Sequence, residues 1–200
     1  VKEGRPSLHR IELAPEADAV LSDFIKDLPA SDFAEEFVAL LRKGFTSGGT
    51  MPDGFHGLLH HLLGRFGLFF TDAAHPGVKS VSKDLLLEEL PRALELECVL
   101  SATAAELEDA GYELQVPIME EGVNLFLEGP GGRERLYRDP AGFRLRTSAE
   151  IRTESDVHGA FNADSKALSP NVLLRPVVES HVFPTVAYVG GPGEMAYFAQ

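Results

Sequence analysis

The stretch from Val123 to Thr147 constrains this chain most. It reads "VNLFLEG", "RERLYRD" and "GFRLRT", strand-like pieces joined through "GPGG" and "DPAG". Both joints are strong turn signals, and connections this short close antiparallel hairpins. With "YELQVPIM" upstream, residues 112–147 are expected to form a small antiparallel meander. Everything else must be arranged around it.

Upstream, the expected elements are mostly helical. "HRIELAP" reads as a short strand closed by Pro15. A helix is expected from Ser31 as N-cap, with Phe33, Phe37, Leu40 and Leu41 on one face and a stop at Gly44 or at Ser47–Gly49. "PDGFHGLLHHLLGRFG" is a second helix. "LFFTD" has the composition of a buried parallel strand whose carboxyl end presents Thr71 and Asp72. From Pro76 a long helical stretch, kinked at Pro91, runs to a stop at Gly111.

Downstream of the meander, a helix near Ser148 or Ala149 is followed by two strand candidates, "NVLLRPVV" and "PTVAYVGG". A Gly-rich turn then leads into a last helix. Helices and strands on both sides of a β insert give an α/β class, with segments 1–111, 112–147 and 148–200.

Composition excludes several functions. The chain has 200 residues, 18 basic and 31 acidic, for a net charge of −13. That balance repels phosphate backbones and anionic lipid surfaces, so neither nucleic acid nor membrane is an expected partner. Cys98 is the only cysteine, which rules out an internal disulfide or a multi-cysteine zinc site and fits a reducing cytoplasm. The start of the chain lacks the apolar core of a signal peptide, and no apolar run is long enough to span a bilayer. The sequence opens on Val1 and stops at Gln200 inside an apolar pattern, so it is expected to be an excerpt of a longer protein.

Most candidate chemistry gives way to simpler explanations. His56 and His60 share a helix face, but Gly57 stands where the metalloprotease pattern needs glutamate, and no third ligand is near. No metal ligand set is expected. Cys98 sits among Leu96, Val99 and Leu100 beside Glu95 and Glu97, which favour a passive packing role over a nucleophile. Asp72, at a strand end, is either a ligand residue or the cap of the next helix. Ser80 and Lys83 match an S-x-x-K spacing without its supporting motifs.

The tail is more informative. Asn171 and Arg175 bracket an apolar run. Arg175 could clamp a carboxylate or phosphate, or pair with Glu179. Gly190, Gly191, Pro192 and Gly193 allow positive φ and close backbone approach before a helix N-terminus that favours anions. Glu194 fits the first turn of that helix as a dipole partner.

These residues also carry a resemblance. "SPNVLLRPV" followed by "PTVAYVGGPGEMAYFAQ" resembles the bacillithiol biosynthesis cysteine-adding enzyme family, a group assigned as cysteine ligases. "LHRIEL", "GLFFTDAAHPGVK", "AGYELQV" and the meander agree in order. The resemblance implies ligation of cysteine to glucosaminyl-malate. It also implies a partial Rossmann-like core similar to nucleotidylyltransferases and class I synthetases, in which the meander is a connecting insertion. A coiled-coil arm that dimerises the full-length protein is implied as well.

An unactivated cysteine carboxylate is a poor electrophile, and activation as an adenylate or acyl phosphate at the expense of ATP, which becomes ADP in the second case, would solve that. Under that reading, backbone N–H groups near Gly191 and Gly193 would face phosphate or oxyanion charge. Arg175 would hold a substrate carboxylate and Asn171 would orient substrate. The chain departs from the family in lacking its N-terminal Gly-rich loop, its downstream acidic segment and the coiled-coil arm. "VVESHVFPT" also differs from the family wording, so Glu179 and His181 take no role from it. Two alternatives stay open: another adenylate-forming or nucleotidyl-transferring enzyme, and a non-catalytic binding or assembly segment.

Overall fold

A computed structural model describes residues 7–130 and 132–200. The start of the chain, read above for a leader, and Gly131 of the "GPGG" turn lie outside the described residues. The described chain forms two compact units, residues 7–75 and 76–200.

The first unit is helical: α1 (Glu16–Lys26), α2 (Ala34–Gly44) and α3 (Met51–Leu63). Charges follow the helix dipoles, with Glu16 and Asp18 opening α1, Glu35 and Glu36 opening α2, and Arg42 and Lys43 closing it. Thr50 caps α3 by accepting from the Asp53 N–H at 3.2 Å. Helices α2 and α3 meet at Gly44 and Gly54, so closely that a Cβ on Gly54 would lie 2.5 Å from the Gly44 carbonyl. His61 and Glu36 join the same two helices at 2.8 Å.

The second unit is built on one sheet. Helices α4 (Pro76–Val81), α5 (Lys83–Glu88) and α6 (Ala93–Asp109) precede strands β1 (Gly122–Gly129), β2 (Gly132–Asp139), β3 (Gly142–Leu145) and β4 (Ile151–Arg152). After these come α7 (Glu154–Ala163), β5 (Leu168–Pro170), α8 (Arg175–Val182) and α9 (Pro192–Phe198). The strand order is β4-β3-β2-β1-β5, and each pairing is antiparallel. The two turn signals join β1 to β2 and β2 to β3, where Gly132 and Gly142 take φ of 87° and 136°.

The core of this unit gathers Val123, Leu125 and Leu127 from β1 with Leu136, Leu145 and Leu168 from its neighbours. Leu86, Val157, Phe161 and Val178 of α5, α7 and α8 belong to the same cluster. Buried polar groups tie the strands to a helix and to a turn. Lys79 donates to the Leu168 carbonyl at 2.7 Å, and Glu134 accepts from the N–H groups of Thr147 and Ser148 at 2.5 and 2.7 Å.

Glu89 is 3% exposed and accepts from the Asn124 N–H at 3.0 Å. Burial pushes its carboxyl above the ordinary 4.5, against the pull of Asn124, Arg92 and Arg135. A folded pKa above the unfolded one means the native state binds this proton more tightly. The stabilisation is therefore complete below the unfolded value and is lost as pH rises through the folded one. Glu89→Gln, which retains an acceptor for Asn124, should raise the urea midpoint at pH 7, and the gain should vanish in acid. A midpoint that falls equally at both pH values would contradict this account.

Several expected elements form differently. "HRIELAP" is not a strand: residues 8–10 make a 3-10 turn, and Glu12 forms an isolated bridge to Thr50. The helix expected from Ser31 begins at Ala34, after a turn in which Ala34 N–H bonds the Ser31 carbonyl. "LFFTD" is not a buried parallel strand. It has no ladder, Phe69 is 94% exposed, and the Phe70 carbonyl contacts the His56 ring nitrogen at 3.0 Å. "YELQVPIM" also forms no strand.

The helix expected at Ser148 or Ala149 starts at Glu154, where Thr153 and Asp156 make a capping box. "NVLLRPVV" becomes a turn and α8, because Pro176 cannot donate to a ladder but fits a first helical turn. "PTVAYVGG" pairs with no strand, and Val186 and Val189 are almost fully exposed.

The α/β class therefore stands, but no parallel strand pair forms among the described residues. One sheet runs through the expected boundary at 147/148. Cys98 is exposed rather than packed. The buried stripe of α6 passes through Ala93 and Ala104, about 140° round the helix from it. No helix among the described residues is long and apolar enough to cross a membrane.

Candidate functional site

Strand β5 delivers the chain to Asn171, and Asn171 launches α8. Its N–H bonds the Asn124 carbonyl at 2.8 Å, and its side-chain Nδ2 donates to Asn124 Oδ1 at 2.8 Å. Its Oδ1 accepts from the Leu174 N–H at 2.9 Å, and its carbonyl accepts from the Arg175 N–H at 3.1 Å. Asn171 is 5% exposed. Its amide thus fixes the corner between β1, β5 and α8, and through that corner it fixes the base of Arg175.

Arg175 is exposed at the first position of α8. Its charge is felt by Glu179, Glu194 and Tyr197. Burial, together with the Glu194 charge, holds the Glu179 carboxyl above the ordinary range despite Arg175.

The Gly-rich turn enters α9 with Gly191 as N-cap and Pro192 in the first turn. Gly191 has φ of −72°, and none of Gly190, Gly191 and Gly193 takes a positive φ. The expectation of left-handed glycines here is corrected. Gly190 instead serves close approach, since a Cβ there would lie 2.9 Å from the Tyr188 ring and 3.1 Å from Glu194 Cβ. Space around Gly193 is open.

Glu194 accepts from the Gly191 N–H at 2.9 Å and from the Tyr188 hydroxyl at 3.1 Å. The Gly191 N–H and then the Tyr188 hydroxyl hold its carboxyl below the usual range. The ionised carboxylate thus occupies the donor that an incoming anion would seek at Gly191. Tyr188 and Tyr197 pack on Phe198 with ring centroids 4.3 and 5.3 Å apart.

Asn171, Arg175, Gly190, Gly191, Gly193 and Glu194 all belong to the 76–200 unit. Asp72 belongs to the other. Its Oδ1 accepts from the Ala74 N–H at 2.8 Å, and its carbonyl accepts from the His75 N–H at 2.9 Å, a turn leading to Pro76.

Sequence reasoning missed Arg133, which lies on β2 and reaches across β1 to β5. Its Nε donates to Ser169 Oγ at 2.8 Å, and Nη2 donates to the Pro170 carbonyl at 3.1 Å. Only the pairing of β1 with both β2 and β5 brings it to this corner. No cluster of three His, Cys, Asp or Glu side chains suited to a metal occurs among the described residues. A cleft of about 420 Å³ lies in the 7–75 unit, lined by Phe33, Phe37, Leu40, Leu62 and Arg65, and none of the candidate residues lines it.

Comparison with known proteins gives a consistent result. The family model described as "Bacillithiol biosynthesis BshC, N-terminal Rossmann-like domain" matches residues 1–200. A protein of Salinibacter ruber named "Putative cysteine ligase BshC" is 30% identical over 201 residues, covering 100% of this chain and 36% of that protein. A protein of the same name from Solibacter usitatus is 34% identical over 172 residues, covering 84% of this chain and 31% of its own. One from Shouchella clausii is 26% identical over 184 residues, covering 92% and 34%. The chain spans about a third of the length of the curated relatives it matches.

Proposed function

This chain belongs to the bacillithiol biosynthesis BshC family, as its N-terminal Rossmann-like domain, and from that premise we propose that it serves a cysteine ligase. The reaction joins the amine of glucosaminyl-malate to the carboxyl carbon of cysteine. An unactivated carboxylate is a poor electrophile, so ATP converts it to an adenylate with release of pyrophosphate or to an acyl phosphate with release of ADP, and the amine then displaces AMP or phosphate and gives up its proton. The enzyme acts in the cytoplasm as a homodimer. The observation that carries the reading is the family match over the whole chain, together with similarly named relatives from several bacteria.

Within this domain, Arg175 holds a substrate carboxylate through charge-assisted hydrogen bonds. Asn171 acts through Arg175 by fixing the start of α8. The Gly190–Gly193 turn forms one edge of the site, and Glu194 keeps that turn in shape. Asp72, bound to its own turn through the Ala74 and His75 N–H groups, takes a structural role in the segment before Pro76.

The bond between Glu194 and the Gly191 N–H specifically favours a second reading for the turn, that of a structural element. In that case phosphate contacts come from parts of the protein beyond this chain.

The direct test incubates the full-length protein with cysteine, glucosaminyl-malate and ATP and follows bacillithiol by mass spectrometry. Product that requires all three components is the expected result. A folded protein that yields none would remove the ligase reading.

A further inference from the structure

The sheet of the 76–200 unit packs one face on the core. Leu136 of β2 and Leu145 of β3 are register partners, and both belong to that core. Side chains alternate along a strand, so Arg133, Arg135 and Tyr137 of β2 point to the opposite face, as do Arg144 of β3 and Arg146 just beyond it. The register sets them side by side. Tyr137 pairs with Arg144, Arg135 pairs with Phe126 of β1, and the Arg146 N–H donates to the Arg135 carbonyl at 3.0 Å. Opposed side chains on one face of an antiparallel pair have Cβ atoms about 5 Å apart.

Four arginines thus share one sheet face of a chain whose net charge is −13. Arg133 and Arg146 are exposed, and Arg135 and Arg144 are half-buried. Glu128 stands opposite Arg133 at the turn. The cross-strand neighbours of the other three are Phe126, Tyr137, Ile151 and one another. Among the described residues, none of Arg135, Arg144 and Arg146 forms an ion pair. Glu89, whose charge Arg135 feels, is buried, and burial pushes its carboxyl above the ordinary range.

The aromatic rings of this face are already occupied. The guanidinium carbon of Arg133 lies 3.8 Å from the Phe126 centroid, that of Arg144 lies 5.3 Å from the Tyr137 centroid, and Tyr137 is 8% exposed. Surfaces that hold single-stranded nucleic acid stack bases on open rings, and a strongly acidic chain repels dense phosphate. What the face offers is planar guanidinium forks, which match carboxylates. Arg144 and Arg146 are two residues apart along the strand, an interval of about 7 Å. Alternate residues of an extended polypeptide recur at the same interval.

We propose that this face docks an acidic polypeptide segment, whose carboxylates meet Arg135, Arg144 and Arg146. Arg135 is held by its Nε, which donates to the Val123 carbonyl at 3.1 Å, and Arg144 is held over the Tyr137 ring. Arg146 has no acidic or hydrogen-bonding side-chain partner among the described residues and is the free member of the set. The docking surface goes beyond the ligation reading and does not depend on it.

The experiment follows the fluorescence anisotropy of labelled octaglutamate titrated with the full-length protein at low ionic strength. An eight-nucleotide thymidine oligomer is the second probe. Octaglutamate should bind, more tightly than the oligomer, and added salt should weaken it. Reversing two charges with Arg144→Glu and Arg146→Glu together should weaken the peptide about tenfold or more. Arg144→Lys with Arg146→Lys keeps the charges without the forks and should fall between that double variant and wild type.

If the charge reversal does not fold, Arg146→Glu alone decides the matter. Its position is exposed, so its urea midpoint should match wild type while peptide binding falls. No octaglutamate binding by the wild type, or unchanged binding in Arg146→Glu, overturns the proposal. So does tighter binding of the thymidine oligomer, which would make this a nucleic-acid surface.

Discussion

Asn171→Ala should lower the unfolding free energy by about 2–4 kcal/mol, read as a fall in the urea midpoint at unchanged slope. Asn171 is buried, and each half of its amide is in use. Nδ2 serves Asn124 Oδ1 and Oδ1 serves the Leu174 N–H, at 2.8 and 2.9 Å. The Asn124 backbone is itself held at this corner, since its N–H donates to Glu89 at 3.0 Å. Alanine would leave a buried acceptor on Asn124 and an unpaired Leu174 N–H in the turn before α8, and a buried polar group without a partner costs more than the mean hydrogen bond is worth.

Asn171→Asp separates the two losses. It keeps an acceptor for Leu174 but sets a carboxylate against Asn124 Oδ1, so it should also destabilise. A residue that only oriented substrate would lose activity with its midpoint unchanged. That outcome would return Asn171 to the substrate-contacting role.

The elements legible in the sequence are those set by neighbouring residues. "GPGG" and "DPAG" dictate turns locally, and the strands they join pair as Gly129 with Gly132 and Asp139 with Gly142. Pro192 and Glu194 mark the start of α9 as plainly in sequence as in structure. The failures are non-local. "PTVAYVGG" has strand composition, but β propensity is satisfied only by a partner strand, and none pairs with it here. "NVLLRPVV" looks like a strand until the Asn171 amide accepts from the Leu174 N–H in a turn and Pro176 falls in a helical first turn.

The candidate site divides in the same way. Arg175 and the Gly-rich turn are visible as a motif in one stretch of chain. Arg133 is an ordinary exposed position of "RERLYRD" until β1 pairs with β2 on one side and β5 on the other. Asp72 drew attention as a strand end, and without that strand only its turn hydrogen bonds remain.

Gly142→Ala should be the most damaging single-methyl addition in the sheet, at about 3 kcal/mol or more. Gly142 combines a φ of 136° with a backbone neighbour: a Cβ there would lie 2.5 Å from the Arg152 carbonyl and 3.2 Å from Thr153 Cα. Neither neighbour is the loose end of a side chain. Relief would require β3 and β4 to separate, and the Thr153–Asp156 box that starts α7 follows directly on β4. Gly111→Ala supplies the reference, because Gly111 has φ of 85° and nothing within 4 Å of its would-be Cβ. It should cost only the backbone strain, on the order of 1 kcal/mol. The difference between the two midpoints therefore reports the β3–β4 contact together with the added strain of a φ of 136°. Equal losses would mean that β4 can leave the sheet at no cost, and that the start of α7 does not depend on it.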